Sequence, residues 1–241
     1  MLPPSLPQLG WCADFPLVVG SVSPRRHTLL RQCGLPFEVC ATDASEIHDA
    51  SDPVGTVVHN ALAKQAACQR LRPAACLLTA DTLVLFGERL IGKPRDLDEA
   101  AQFLRAFSGR TQTVYTAVAL TLPGTAPATR VEASAVHFRT LSAATIQEYL
   151  HRTRPLDRAG AYDIDENGEM LIAGYGGSYT NIMGLPMETV CDWFLARGVA
   201  RRADLLPLAA AVAGRPHDAS GGSAIQAYPG ALAHAQPEKL A

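Results

Sequence analysis

Apolar and polar positions along the chain switch repeatedly between a period of two and a period near 3.6, the pattern of an α/β protein. Leu17–Gly20 reads as a short apolar strand. In SVSPRRHTLLRQCG, Ser23 suits an N-cap, Pro24 the first helical position and Gly34 the C′ position, which together bound a helix. Phe37–Cys40 reads as a second strand. Val54, Val57, Val58, Ala61 and Leu62 recur at near-helical spacing and predict a helix over Val54–Arg70. Ala75–Phe86 is a long apolar run broken by Asp81. Asp96 with Glu99 resembles a capping box, opening a helix that carries Ala100, Phe103, Leu104 and Phe107 and stops at Gly109. Thr113–Leu122 and Thr129–Arg139 predict paired long strands, the second alternating at Val131, Ala133 and Ala135. Ser142 starts a helix to about His151, and Met187–Arg197 predicts the last helix, with Gly198 behind it. Alternating elements of this kind predict an α/β fold with a mixed β-sheet flanked by helices.

Both ends break the pattern. Residues 1–15 are Pro-rich and aperiodic and read as a flexible lead-in; residues 201–241, with GRPHDASGGS, read as a disordered tail. The folded body is then about 16–200 of 241 residues. That length, with 48% hydrophobic and 18% charged residues, supplies ample core for one domain. A net charge of −2 excludes a bulk electrostatic grip on DNA or RNA, so no nucleic-acid partner is expected. No stretch approaches the roughly 18 apolar residues of a membrane span, and Met1–Asp14 lacks the basic and apolar regions of a secretory signal. The six cysteines form no CxxC and have no His cluster beside them, which fits reduced thiols rather than a disulfide framework or a zinc site.

Candidate chemistry gathers in four segments. In the first, a strand runs through Gly20-Ser21-Val22-Ser23 into a helix whose first turn holds Arg25 and Arg26. Cations there oppose the helix dipole, an arrangement that suits a bound polyanion as well as it suits a solvated Arg pair. In the second, Asn60 and Lys64 share one helix face, following the isolated acid Glu46. The chain has 18 Arg but only three Lys, at 64, 93 and 239, so Lys64 and Lys93 stand out in the body. The third is Asp81-Thr82: a carboxylate inside an apolar strand is costly unless it binds a metal, acts as a base or is satisfied by backbone donors. The fourth is PLDRAGAYDIDE (155–166) with GSYTNIMGLP (177–186), rich in small residues that allow close approach of a ligand. Neither GxxxxGK[ST] nor GxGxxG occurs.

In register, SVSPRR (21–26), NALAK (60–64), ADT (80–82), GKP (92–94), SGRTQTVYTAVAL (108–120), PLDRAGAY (155–162) and GSYTNIMGLP (177–186) resemble the Maf family of nucleoside triphosphate pyrophosphatases. The resemblance spans about residues 17–197. It implies a central substrate cleft, as in inosine triphosphate pyrophosphatases, and Mg2+- or Mn2+-dependent cleavage of a nucleoside triphosphate to a monophosphate and pyrophosphate in the cytoplasm. It gives Asp81 the catalytic carboxylate, Glu46 an acidic position near the metal beside Asp81, and Ser23, Arg26, Lys64 and Lys93 phosphate contacts. Arg25 and Thr82 match base-selecting positions of the dTTP/UTP subfamily. The third such position holds Asp165 where that subfamily has Gln. An ionised Asp only accepts hydrogen bonds, so weakened base discrimination is implied. The same reaction on a purine or 7-methyl-GTP-type nucleotide, or nucleotide binding without turnover, are the alternatives. A homodimer is one assembly left open.

Overall fold

The computed structural model describes residues 5–41 and 43–203. Of the tail expected over 201–241, residues 204–241 lie outside the described residues. In chain order the strands are β1 Leu9–Trp11, β2 Leu17–Val19, β3 Glu38–Val39, β4 Cys76–Phe86, β5 Arg89–Ile91, β6 Thr111–Thr121, β7 Ala128–Phe138, β8 Ile172–Gly176 and β9 Ala200–Arg202. The helices are α1 Pro24–Gln32, α2 Pro53–Leu71, α3 Leu97–Phe107, α4 Ala143–Thr153, α5 Tyr179–Ile182 and α6 Met187–Ala196. Seven strands form one mixed sheet in the order β3-β2-β4-β6-β7-β8, with β5 paired to β4. Strand β2 runs parallel to both β3 and β4; β4, β6, β7 and β8 are successively antiparallel.

Alternation along β4 sorts its side chains to the two sheet faces. Leu78, Ala80 and Val84 enter the main core, which also holds Leu29 and Leu30 of α1, Leu104 and Phe107 of α3, Ile146 and Tyr149 of α4 and Phe194 of α6. Leu83 packs on the opposite face with Val57 and Ala61 of α2. A polar seam ties α2 to that face. Gln65 Nε2 donates to Leu77 O and to Thr121 Oγ1, while Thr79 Oγ1 donates to Ala61 O. Buried polar groups paired this way fix the helix in one register on the sheet.

Three local signals behave differently from their sequence reading. Ser23 is the N-cap of α1, but its side chain makes no capping hydrogen bond. Asp96 caps α3 by accepting from Glu99 N, whereas the Glu99 carboxylate accepts from Arg95 N instead of closing the box. The segment 1–15 is not all loose: β1 pairs antiparallel with β9, joining Leu9 to Arg202 and Trp11 to Ala200. Leu9 is buried in the main core, and the Trp11 ring stands edge-on to Phe194 at 5.5 Å. Arg201 and Arg202 thus belong to the folded body rather than to the tail.

Candidate active site

The edge of β4 opens the site. Strand β2 covers that edge only as far as the Val19–Leu78 pair, and β5 covers it again from Val84. Between them residues 79–83 have no strand neighbour on that side, while β6 pairs the other side throughout. At such a gap side chains from both faces of a strand reach the same space. Asp81, from the α2 face, and Thr82, from the opposite face, therefore both line one cleft of about 580 Å³. The loop after β2, the start of α1, Lys93 and the turn 157–164 complete its walls.

Asp81 is buried and held from both sides. Lys64 Nζ donates to its Oδ1 at 2.6 Å, and Asn60 Nδ2 donates to its Oδ2 at 3.0 Å. The i, i+4 spacing of Asn60 and Lys64 on α2 brings both to one carboxylate. Lys64 Nζ also lies 2.8 Å from Glu46 Oε1. Partial burial pushes the Glu46 carboxyl up, but its hydrogen bond to Lys64, with the charges of Lys64, His48 and Arg26, holds it below its ordinary value. Asn60 further clamps the Glu46 loop, accepting from Ile47 N at 2.9 Å and donating to Ile47 O at 3.0 Å.

The two arginines of α1 diverge. Arg26 spends Nε on Gly184 O, one terminal nitrogen on Ser21 Oγ and the other on Thr82 Oγ1, at 2.7, 3.0 and 2.9 Å. Burial lowers its guanidinium from 12.5 to about 10, Asp81 and Glu46 opposing the shift and Arg25 adding to it. Gly184 takes a φ of +104°, a conformation open to glycine, to present that carbonyl. Arg25 turns instead toward the 157–166 segment, its NH1 at 4.0 Å from Asp163 Oδ2. Ser23, with its hydroxyl free of capping duty, and the uncapped first turn of α1 face the same cleft. N–H groups and cations so placed make an anion site.

The structure thus brings Ser23, Arg25, Arg26, Glu46, Lys64, Asp81, Thr82 and Lys93 to one cleft. Asp165 is not among them. Its side chain is exposed and accepts from Tyr179 Oη at 3.1 Å, while its backbone N–H donates to Asp163 Oδ1. Asp163, two residues earlier, is the buried carboxylate that lines the wall, with Arg158 Nε donating to it at 2.5 Å. Asn60 was visible in the sequence only as a neighbour of Lys64; its clamp on Ile47, and the roles of Ser21, Gly184 and Asp163, depend on contacts between distant segments.

Fold and site define an α/β protein with an Arg- and Lys-lined cleft built around one buried, cation-held carboxylate. Residues 16–196 match the family described as Maf-like protein. The dTTP/UTP pyrophosphatase of Myxococcus xanthus (strain DK1622) is 43% identical over 176 residues, 72% of this chain and 89% of that one. The dTTP/UTP pyrophosphatase of Xanthomonas euvesicatoria pv. vesicatoria (strain 85-10) is 42% identical over 187 residues, 76% of this chain and 98% of that one. A solved nucleoside-triphosphatase, the dITP/XTP pyrophosphatase of Mycobacterium abscessus, aligns at 14% identity and a TM-score of 0.39 over 76% of this chain and 94% of that chain. The chain belongs to the Maf-like protein family.

Proposed function

We propose that this chain hydrolyses dTTP and UTP to the monophosphate and pyrophosphate, with Mg2+ or Mn2+ as cofactor. The observation that carries the reading is Asp81, a buried carboxylate at a strand-edge gap, held by Lys64 and Asn60 and faced by the cations of α1. The names of the Myxococcus and Xanthomonas relatives supply the substrate.

The donor set suits a divalent ion shared with a phosphate. Asp81 and Glu46 both contact Lys64 Nζ, so the two carboxylates lie close together at one wall of the cleft and their remaining oxygens could serve one ion beside the ammonium. Among the described residues no group of three or more His, Cys, Asp and Glu ligands converges. A hard ion held by these two carboxylates would take its other ligands from phosphate oxygens and water, as Mg2+ commonly does. Bound there, the metal would neutralise phosphate charge and polarise the scissile phosphorus.

The chain's own residues carry the remaining steps. Ser23, the first turn of α1 and Lys93 hold the triphosphate. Asp81 orients and deprotonates the attacking water. Lys64 holds the Asp81 carboxylate in place through their 2.6 Å contact and faces the charge that develops on the leaving pyrophosphate. Arg26, locked by Ser21, Thr82 and Gly184, fixes the cleft floor and keeps two N–H donors for phosphate. Arg25 and Thr82 stand at the base end. Among the described residues no helix is long and apolar enough to cross a membrane.

A nucleotide panel with Mg2+, scored for pyrophosphate and monophosphate, tests the proposal. Release of pyrophosphate from dTTP and UTP, faster than from purine nucleotides, is expected. Preference for a purine would move the assignment to that substrate, and tight binding without release would make the chain a nucleotide-binding regulator.

A further inference from the structure

Two of the carboxylates in the turn after Tyr162, Asp163 and Asp165, take separate roles in the structure. Asp165 points outward to Tyr179, whereas Asp163 lines the cleft with its side chain 5% exposed. A carboxylate that buried needs compensation, and Asp163 has it in three forms. Arg158 Nε donates to Oδ2, Asp165 N donates to Oδ1 at 2.8 Å, and Arg25 NH1 stands 4.0 Å from Oδ2. The backbone is fixed as well, since Asp163 N donates to Tyr149 Oη at 2.8 Å. Arg158, which lines the same wall, is itself tied to Asp157 and Glu166, so it is held in place as it holds the anion.

The contact with Arg25 is of another kind. At 4.0 Å it is an ion pair without a hydrogen bond, so the Arg25 donors stay available while the charge draws the guanidinium toward this wall. Arg26 shows the contrast: three of its donors are consumed by the protein. Arg25 has only a third of its side chain exposed, so the pair is less screened than a surface bridge.

We propose that Asp163 is a positioning residue for base selection, holding the Arg25 guanidinium where its free N–H groups meet the carbonyl oxygens of a pyrimidine. The inference rests on the proposed dTTP/UTP reading and deepens it. A guanidinium offers donors only, which suits the carbonyls of uracil and thymine and rejects the donor edge of guanine (N1–H and the amino group). Such selection works only if the cation cannot swing away, and an anion fixed by Arg158 and Tyr149 provides that restraint.

The test is a double-mutant cycle on Asp163→Asn and Arg25→Gln, with two readouts. The first is kcat/KM for dTTP against dGTP. The second is the dissociation constant of α,β-imido-dUTP against α,β-imido-dGTP, which needs no turnover. Asp163→Asn keeps the size of the side chain and an acceptor for Asp165 N. It should lower the pyrimidine preference in both readouts roughly ten- to a hundredfold, the scale of one charge-assisted hydrogen bond. In the Arg25→Gln background the same change should have little further effect, and Asp163→Glu should restore part of the preference. A purely structural role would weaken all nucleotides alike and lower the melting temperature without moving the ratios; that result, or equal effects in both Arg25 backgrounds, overturns the proposal. A wild type that binds the analogues but releases no pyrophosphate defeats the activity reading alone, and the ratio of dissociation constants still decides the role of Asp163. Failure to bind either analogue defeats both.

Discussion

Lys64 Nζ lies 2.6 Å from Asp81 Oδ1, so the residue assigned to activate water rests in a direct ion pair with a cation on the facing helix. Because Lys64 also reaches Glu46, removing the Asp81 charge leaves the ammonium paired. Asp81→Asn should therefore fold, since its amide oxygen can still accept from Asn60 or Lys64. Turnover should fall on the order of a hundredfold or more, the loss expected of a missing general base. Steady-state kinetics beside a melting curve checks this, and a near wild-type kcat would remove Asp81 from the chemistry.

The Glu46–Lys64 pair predicts a pH dependence of stability. The folded-state value of Glu46 lies below its ordinary 4.5, so the ionised form favours the folded protein. Its contribution is present above pH 4.5 and is lost as pH falls through the lower, folded-state value. With its side chain 39% exposed, solvent screens the pair and the contribution is small. Melting temperatures of wild type and Glu46→Gln should thus differ slightly near neutrality and converge on acidification below pH 4.5. A gap that widens in acid would mean that the pairing disfavours the native state.

Some of this architecture was legible in the sequence for identifiable physical reasons. Asp81 stood out because a carboxylate inside an apolar strand needs a reason to be there. The bounds of α3 and α4 followed from Asp96 and Ser142, whose side chains accept from Glu99 N and Thr145 N. Strand β8 was not legible, because Ile172–Gly176 carries two glycines and is held by its register with β7 rather than by its own pattern. Nor was the choice of Asp163 over Asp165. It depends on Ala161 at a φ of +58° and on two tyrosines, Tyr149 and Tyr179, that lie far from the turn along the chain or beyond it. The gap at residues 79–83 likewise exists only in the pairing of β4 with β2 and β5.

The β1–β9 ribbon makes the first residues part of the fold. Leu9 is 2% exposed, and its backbone N–H donates to Cys33 O, tying β1 to the end of α1. Leu9→Ala should cost about 2–4 kcal/mol, as for other buried leucines, and lower the melting temperature by roughly 5–10 °C. Activity at low temperature should persist, because Leu9 does not line the cleft. A melting temperature within a degree or two of wild type would show that residues 9–11 do not dock.

Asn60 joins the Asp81 and Glu46 sides of the cleft wall. Its amide donates to Asp81 Oδ2 and exchanges two hydrogen bonds with the backbone of Ile47, the residue after Glu46. Asn60→Leu matches the volume but leaves the Ile47 N–H and C=O without these partners and frees one Asp81 oxygen. Ile47 is exposed, so water can replace these two bonds and each costs about 0.5–1.5 kcal/mol; stability should drop modestly, with the Glu46 loop as the first segment to loosen. Turnover should fall further than in Glu46→Gln, since the variant disturbs Asp81 as well as the loop. The two substitutions should also be non-additive: once Asn60 no longer holds the loop, Glu46 is no longer fixed beside Lys64 and its removal changes less. A cycle of Asn60→Leu and Glu46→Gln, read in kcat/KM for dTTP and in chemical denaturation, measures that coupling. Strict additivity in both would mean that Asn60 supports Asp81 alone and that the Glu46 loop is positioned by something else.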